Sequence, residues 1–211
     1  MVAEMALSRS SLNPSASPGR LRRTDWFDAG LVVLGAQGIE GVRLGTLCSQ
    51  LGITTGSFYH HFSSRTDFLQ GLIDYWSESQ VDAVIALVEQ DEGSPLERVR
   101  KLENFAVQLG IGPQDQAMRT WAKHHEPAQA AVRKADRKIL ALIDRLLREL
   151  GVPNQQASLL SRVLFFSAIG SYAAEHLLSP HRRGEVSRAV LGLATSCIEG
   201  MEPSITSDIT I

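Results

Sequence analysis

The stretch Gly52-Ile53-Thr54-Thr55-Gly56-Ser57-Phe58-Tyr59-His60-His61-Phe62 constrains this chain more than any other, because it reads as a turn, a helix cap and a short two-faced helix. At 100° per residue from Thr54, Phe58 and Phe62 share one side, while Gly56, Tyr59 and His60 fall on the other. The aromatic pair can anchor the helix in a core. The opposite face offers hydroxyls, an imidazole, a phenol and bare backbone, which suits contact with nucleic acid.

The flanking residues supply the rest of a helix-turn-helix. Thr24 to Gly35 places Phe27, Leu31 and Leu34 at helical spacing and ends before Gly38, giving a first helix. Leu44, Leu47, Cys48 and Leu51 follow the i, i+3, i+4, i+7 pattern of a second, and Gly52 stands where a left-handed residue closes it. Thr54 then suits the N-cap of a third, its hydroxyl expected to accept from a first-turn amide, a bond worth roughly 1 kcal/mol. Two short helices joined through about three residues, the second polar outward, form the motif. Ser63-Ser64 interrupts the pattern before a fourth helix that begins at Arg65 or Thr66 and carries Phe68, Leu72, Tyr75 and Trp76.

A net charge of -2 argues against nucleic-acid binding by bulk positive charge, but a whole-chain sum hides the local distribution, which decides. From Gly41 to Arg65 there is no Asp or Glu, while Arg43, His60, His61 and Arg65 lie inside. The small residues Thr54, Thr55, Gly56 and Ser57 let the first turn approach base edges and phosphates closely, and Tyr59 and His60 sit one turn further on. Arg43 opens the second helix and Arg65 the fourth, so both are expected to clamp phosphates on either side of the reading helix. Arg20, Arg22 and Arg23 precede the first helix after a Ser/Pro-rich stretch and are candidates for a minor-groove arm.

Beyond Trp76 the chain reads as helix throughout, with breaks at Gly93-Ser94-Pro95, Gly110-Ile111-Gly112-Pro113, His125-Glu126-Pro127, Gly151-Val152-Pro153 and Ser179-Pro180. Pro127 to Leu150 sets Val132, Ile139, Ile143, Leu146 and Leu150 on one stripe and mostly basic residues on the other. Val163 to Leu178 is apolar over 16 residues, yet too short and too polar near Glu175 and His176 for a membrane span. Its small residues Ser167, Gly170, Ser171 and Ala174 form a stripe, with Leu164, Phe165, Ile169 and Tyr172 expected to pack elsewhere. Together with Val190 and Leu193 that stripe predicts a four-helix dimer interface. Met118, Trp121 and His125 are candidates for an effector pocket, the plainer reading being core.

Only two cysteines occur, Cys48 and Cys197, both among apolar residues, which suggests neither a disulfide scaffold nor a metal cluster. Adjacent histidines on a helix point about 100° apart, so neither His60-His61 nor His124-His125 makes a metal site alone. No nucleophile-base-acid set, P-loop or dinucleotide fingerprint is present, so no enzyme and no cofactor are expected. The cysteine usage fits a reducing cytoplasm, and Met1 to Pro18 has no secretory pattern and reads as a disordered tail.

On these residues, Thr24 to Trp76 resembles the N-terminal domain of the TetR family of bacterial transcriptional regulators. The resemblance rests on Gly38, Leu47-Cys48, Leu51-Gly52-Ile53, Thr54-Thr55-Gly56-Ser57-Phe58-Tyr59 and Phe62-Ser63-Ser64-Arg65 in this order and spacing. It implies an all-α homodimer whose two reading helices enter successive major grooves of a near-palindromic double-stranded DNA operator, and whose variable C-terminal body binds a small molecule. It also implies DNA contact at Arg43, Thr54, Thr55, Gly56, Ser57, Tyr59, His60 and Arg65. Arg43 stands where the family usually has Thr and Arg65 where it usually has Lys; Cys48 and Leu51 replace residues that are usually Ala.

The expected architecture is an N-terminal three-helix domain with a helix-turn-helix, followed by a larger helical ligand-binding and dimerisation domain. Its expected bounds are 1–20 for the tail, 21–67 for the DNA-binding domain, 68–203 for the body and 204–211 for a C-terminal tail. The function expected is sequence-specific transcriptional regulation, with repression relieved by an effector the favoured sign. Two other classes compete: a helical enzyme, which needs a cluster of perturbed titratable groups in one cavity, and an interaction protein that pairs its last helices with a different chain.

Overall fold

The computed structural model describes residues 21–108 and 111–174, together with 182, 185–186 and 188–192. Every regular element among them is helical: α1 Arg23–Gln37, a 3-10 turn Ile39–Gly41, α2 Leu44–Leu51, α3 Thr55–His61, α4 Arg65–Asp74, a π-helical segment Tyr75–Gln80, α5 Val81–Glu89, α6 Pro95–Gln108, α7 Ile111–Ala122, α8 Glu126–Glu149 and α9 Asn154–Ala173. The fold is all-α, with an N-terminal helix-turn-helix unit and a larger helical body. The tails at 1–20 and 204–211, the Ser179-Pro180 break, Arg20, Leu193 and Cys197 lie outside the described residues.

Helix α1 buries Trp26, Phe27, Ala29, Gly30, Leu31, Val33 and Leu34. It is the post around which the N-terminal unit packs. Gly30 permits this, since a Cβ there would come within 2.8 Å of the Phe68 ring on α4. At the turn of the helix-turn-helix, Gly52 adopts φ 67°, ψ 34°, and the Ile53 amide donates to the Cys48 carbonyl at 3.0 Å. That left-handed closure is the one the sequence calls for.

Two apolar cores follow. The first joins α1 to α4 with Trp76 and continues without interruption into Met118, Trp121 and Ala122 of α7 and Ala128, Ala131, Val132 and Ala135 of α8. The second holds Val84, Val88, Val99, Leu102, Leu142, Ile143, Leu146, Leu147, Leu164, Phe165 and Leu191. Helix α8 therefore serves both. Its first half presents alanines and Val132 to the first core, where small side chains let helices approach closely, and its second half presents Leu and Ile to the body.

The basic face of α8 runs parallel to the segment from the π turn through α5, at a constant register. Lys134 pairs with Glu78 at 2.6 Å, Lys138 with Asp82 at 2.5 Å and Arg145 with Glu89, each 56 residues apart. Exposed pairs of this kind add little stability singly, but a repeated offset fixes register.

On α9, Leu164 and Phe165 are buried and Ile169 packs against the second core, as the sequence predicts. The face left open differs from the predicted stripe. Leu159, Val163 and Phe166 are 61%, 46% and 62% exposed, and Gly170 continues their row at i+11. Of the small residues only Gly170 lies on that row; Ser167, Ser171 and Ala174 are half-buried beside it, and Val190 packs against the second core. Large apolar groups, rather than small ones, dominate the open face.

Candidate nucleic-acid interface

Helix α3 has seven residues and cannot stand alone, so its neighbours determine its orientation. Phe58 and Phe62, 3% and 1% exposed, enter an aromatic cluster with Trp26, Phe27 and Phe68. Trp26 meets Phe58 edge-on at 5.4 Å, and Phe62 meets Phe58 and Phe68 at 5.1 Å each. With that side fixed, Thr54, Thr55, Gly56, Tyr59 and His60 are exposed and Ser57 is half-buried, with Tyr59 reaching 64%.

Thr54 occupies the predicted N-cap position with extended backbone, but its side chain makes no capping bond. The Ser57 amide bonds instead to the Thr54 carbonyl, at 3.2 Å. Local backbone closure has taken the amide that the hydroxyl was expected to receive.

Arg43 and Arg65, expected on either side of α3, both bond to the segment that enters α2. Arg65 donates from Nε and Nη2 to the Val42 carbonyl, at 3.4 and 3.3 Å, which brings it to the residue adjoining Arg43. Arg43 donates to the Glu40 carbonyl at 2.7 Å, and its guanidinium lies 3.9 Å from the Glu40 carboxylate. Both cations thus converge on the segment entering α2. The window free of acids in sequence has acids beside it in space, Glu40 at Arg43 and Asp67 at Ser63.

Of the arginines predicted as an arm, Arg22 pairs with Asp25, whereas Arg23, also exposed, is tied back to the unit by the His61 carbonyl, the Phe62 ring and Asp67. Sequence alone missed this role, because its partners lie 38 to 44 positions away.

Between the N-terminal unit and the body lies a cleft of about 920 Å³, lined among others by Arg65, Gln70, Gln116, Trp121, His124 and His125. Two of the three predicted pocket residues line it. Met118 does not; it is fully buried in the first core. Trp121 and His125 stack at 4.7 Å, and His125 Nδ1 accepts from the Ala128 amide at 3.3 Å, so this histidine caps α8.

A second polar cluster went unread in the sequence. The Arg119 guanidinium bridges Asp115, at 2.7 Å, and Asp136, at 2.6 Å, and lies 5.8 Å from the Phe165 ring, joining α7, α8 and α9. Burial pushes the Asp115 carboxyl up, against the pull of Arg119. Burial also works against the charge on Arg119, but the hydrogen bond to Asp136 and the Asp115 carboxylate outweigh it and raise its pKa further. The cluster ties three helices together, a cation matched by carboxylates on two sides. Among the described residues, no group of three or more His, Cys, Asp and Glu side chains is placed to hold a metal ion, and no helix is long and apolar enough to cross a membrane.

The family model for bacterial regulatory proteins of the tetR family matches residues 27–72, which contain all of α2 and α3. The HTH-type transcriptional regulator BetI of Paraburkholderia phymatum is 27% identical over 127 residues, 54% of this chain, and the chain spans 61% of that regulator's length. Among solved structures, a TetR transcriptional regulator from Legionella pneumophila superposes with a TM-score of 0.71 at 13% identity, covering 86% of this chain and 99% of its own. The regulator FadR from Bacillus subtilis, solved in complex with stearoyl-CoA, gives a TM-score of 0.62 at 15% identity, covering 86% of this chain and 100% of its own. At these identities the structural likeness is one of fold. Residues 27–72 thus form a domain of the tetR family of bacterial regulatory proteins, and the body that follows shares the fold of TetR-type regulators.

Proposed function

We propose that this chain is a sequence-specific DNA-binding repressor that acts as a homodimer and releases its operator when a small molecule binds its body. The observation that carries the reading is the orientation of α3, with Phe58 and Phe62 locked inward and Tyr59 outward beside Thr54, Thr55, Gly56, Ser57 and His60. An exposed tyrosine among small polar residues suits base edges and phosphates in a major groove. Arg43 and Arg65 add phosphate contacts at the entry to α2.

Residues 21–67 would form the reader and 68–203 the effector-binding and dimerisation body. The open row Leu159, Val163, Phe166 and Gly170 on α9 supports pairing with a second copy, which closed two-fold symmetry would bury. The effector class we favour is hydrophobic or amphipathic, a class to which the stearoyl-CoA held by the Bacillus subtilis regulator belongs. Differential affinity of that effector for the conformation with misplaced readers would set the loss of operator binding.

Selection of bound fragments from a randomised duplex library tests this reading. Enriched, near-palindromic sequences with half-sites about one helical turn apart are expected. No enrichment, or enrichment of an isolated half-site, would overturn it.

A further inference from the structure

We propose that Arg23 is a positioning residue for α3, a role that rests on the DNA-binding reading above. Besides the Phe27 ring on its own helix, 5.8 Å away, three contacts with α3 and α4 and the turn between them converge on its guanidinium. Nη1 donates to the His61 carbonyl at 2.6 Å, the group lies 4.5 Å from the centroid of the Phe62 ring, and Nη2 pairs with Asp67 at 3.6 Å. Asp67 in turn accepts from the Ser63 amide at 2.8 Å and the Ser63 hydroxyl at 3.1 Å. One side chain at the start of α1 therefore ties together the last residue of α3, the turn behind it and the first turn of α4.

The geometry suits restraint of orientation. The start of α3 is fixed by the Gly52 turn and its inner face by Phe58 and Phe62, but a two-turn helix packed on rings can still tilt at its far end. The His61 carbonyl belongs to the last turn, where carbonyls lack intrahelical partners and the helix end carries partial negative charge. A guanidinium fork satisfies that carbonyl while reaching a carboxylate in a different direction, which an ammonium does less well. The Ser63 amide, ahead of the Ser63 hydroxyl and Arg23, holds the Asp67 carboxyl below its ordinary range, so the partner remains ionised at neutral pH.

The rival role is direct phosphate contact, and Arg23→Ala and Asp67→Asn separate the two. Both variants would be titrated with a selected operator and with random duplex across a salt series, folding being checked by helical circular dichroism and melting. Positioning predicts that both lose operator affinity by about tenfold, the order of one lost base-pair contact. Random-duplex binding and the salt slope would stay at their original values. The Asp67→Asn loss is the discriminating result, because removing an acid near the reader would otherwise strengthen binding to DNA.

If Arg23→Ala weakens both duplexes alike and lowers the salt slope by about 0.9, Arg23 is a phosphate ligand and the proposal falls. It falls equally if Asp67→Asn binds the operator as well as or better than the original protein, a criterion that stands even if Arg23→Ala does not fold. Should the unaltered protein select no sequence at all, the DNA-binding reading itself fails, which is a separate outcome.

Discussion

The Tyr75 hydroxyl donates to the Asp28 carboxylate at 2.6 Å, joining the π-helical segment to the middle of α1 across 47 residues. A π turn holds an extra residue and so shifts the phase of the side chains that follow it. Here Trp76 and Ser77 are buried and Tyr75 lies against α1, its ring 5.4 Å from Phe27. Tyr75→Phe keeps the ring and removes the bond to a charged acceptor, so a loss of about 1.5–3 kcal/mol is expected. Urea unfolding with an unchanged m value would measure it; an unchanged midpoint would show that the bond is replaced by water.

Gly56 separates stability from binding. A Cβ there would meet only Thr54 Oγ1, at 4.0 Å, so the fold has room for one. Gly56→Ala is expected to stabilise the helix by up to about 1 kcal/mol through propensity. The same methyl would stand on the reading face and weaken operator binding, and Gly56→Leu should abolish it with helical content intact. Normal operator binding by Gly56→Leu would mean that another face reads DNA.

Arg65 has two tasks that salt dependence can distinguish. As a phosphate contact, Arg65→Ala should weaken binding to every sequence and reduce the log-log salt slope by about 0.9. Its bonds to the Val42 carbonyl allow another outcome, a loss of affinity at constant slope. That result would assign Arg65 to holding the entry of α2.

The acid limb of stability should depend on Asp67. Its folded pKa is depressed, first by the Ser63 amide, so its contribution is present above the ordinary value of 3.8 and is lost as pH falls through the depressed one. Asp67→Asn removes that contribution, so its melting temperature should lie below that of the original protein at pH 6 and approach it in strong acid. A gap independent of pH would mean that the carboxylate charge is not the source.

Much of the reader was legible because its signals are local. Gly52, the Leu44 to Leu51 stripe and the Phe58/Phe62 pair each lie within a turn or two of the structure they dictate. What escaped was set by long-range packing. The partners of Arg23 and Arg65 lie 23 to 44 positions away, and the union of reader and body in one core depends on Met118 and on alanines of α8 that carry no distinctive pattern. The α9 stripe shows a third cause. Helical spacing names several candidate faces, and only the packing of Leu164 and Phe165 decides which one stays open.

That open face gives two adjacent phenylalanines opposite roles. Phe165, 7% exposed, fills the second core, and Phe165→Ala should cost about 3–5 kcal/mol as a cavity. Phe166 is 62% exposed in the single chain, so Phe166→Glu should leave the fold of that chain intact. If α9 pairs with a second copy, the new carboxylates would be forced into an apolar interface, where an unpaired charge is strongly disfavoured. Sedimentation should then show the mass of one chain, with normal helical content, and binding to a two-half-site operator should weaken far more than binding to one half-site. A Phe166→Glu protein that still sediments at twice the chain mass would place the dimer contact elsewhere.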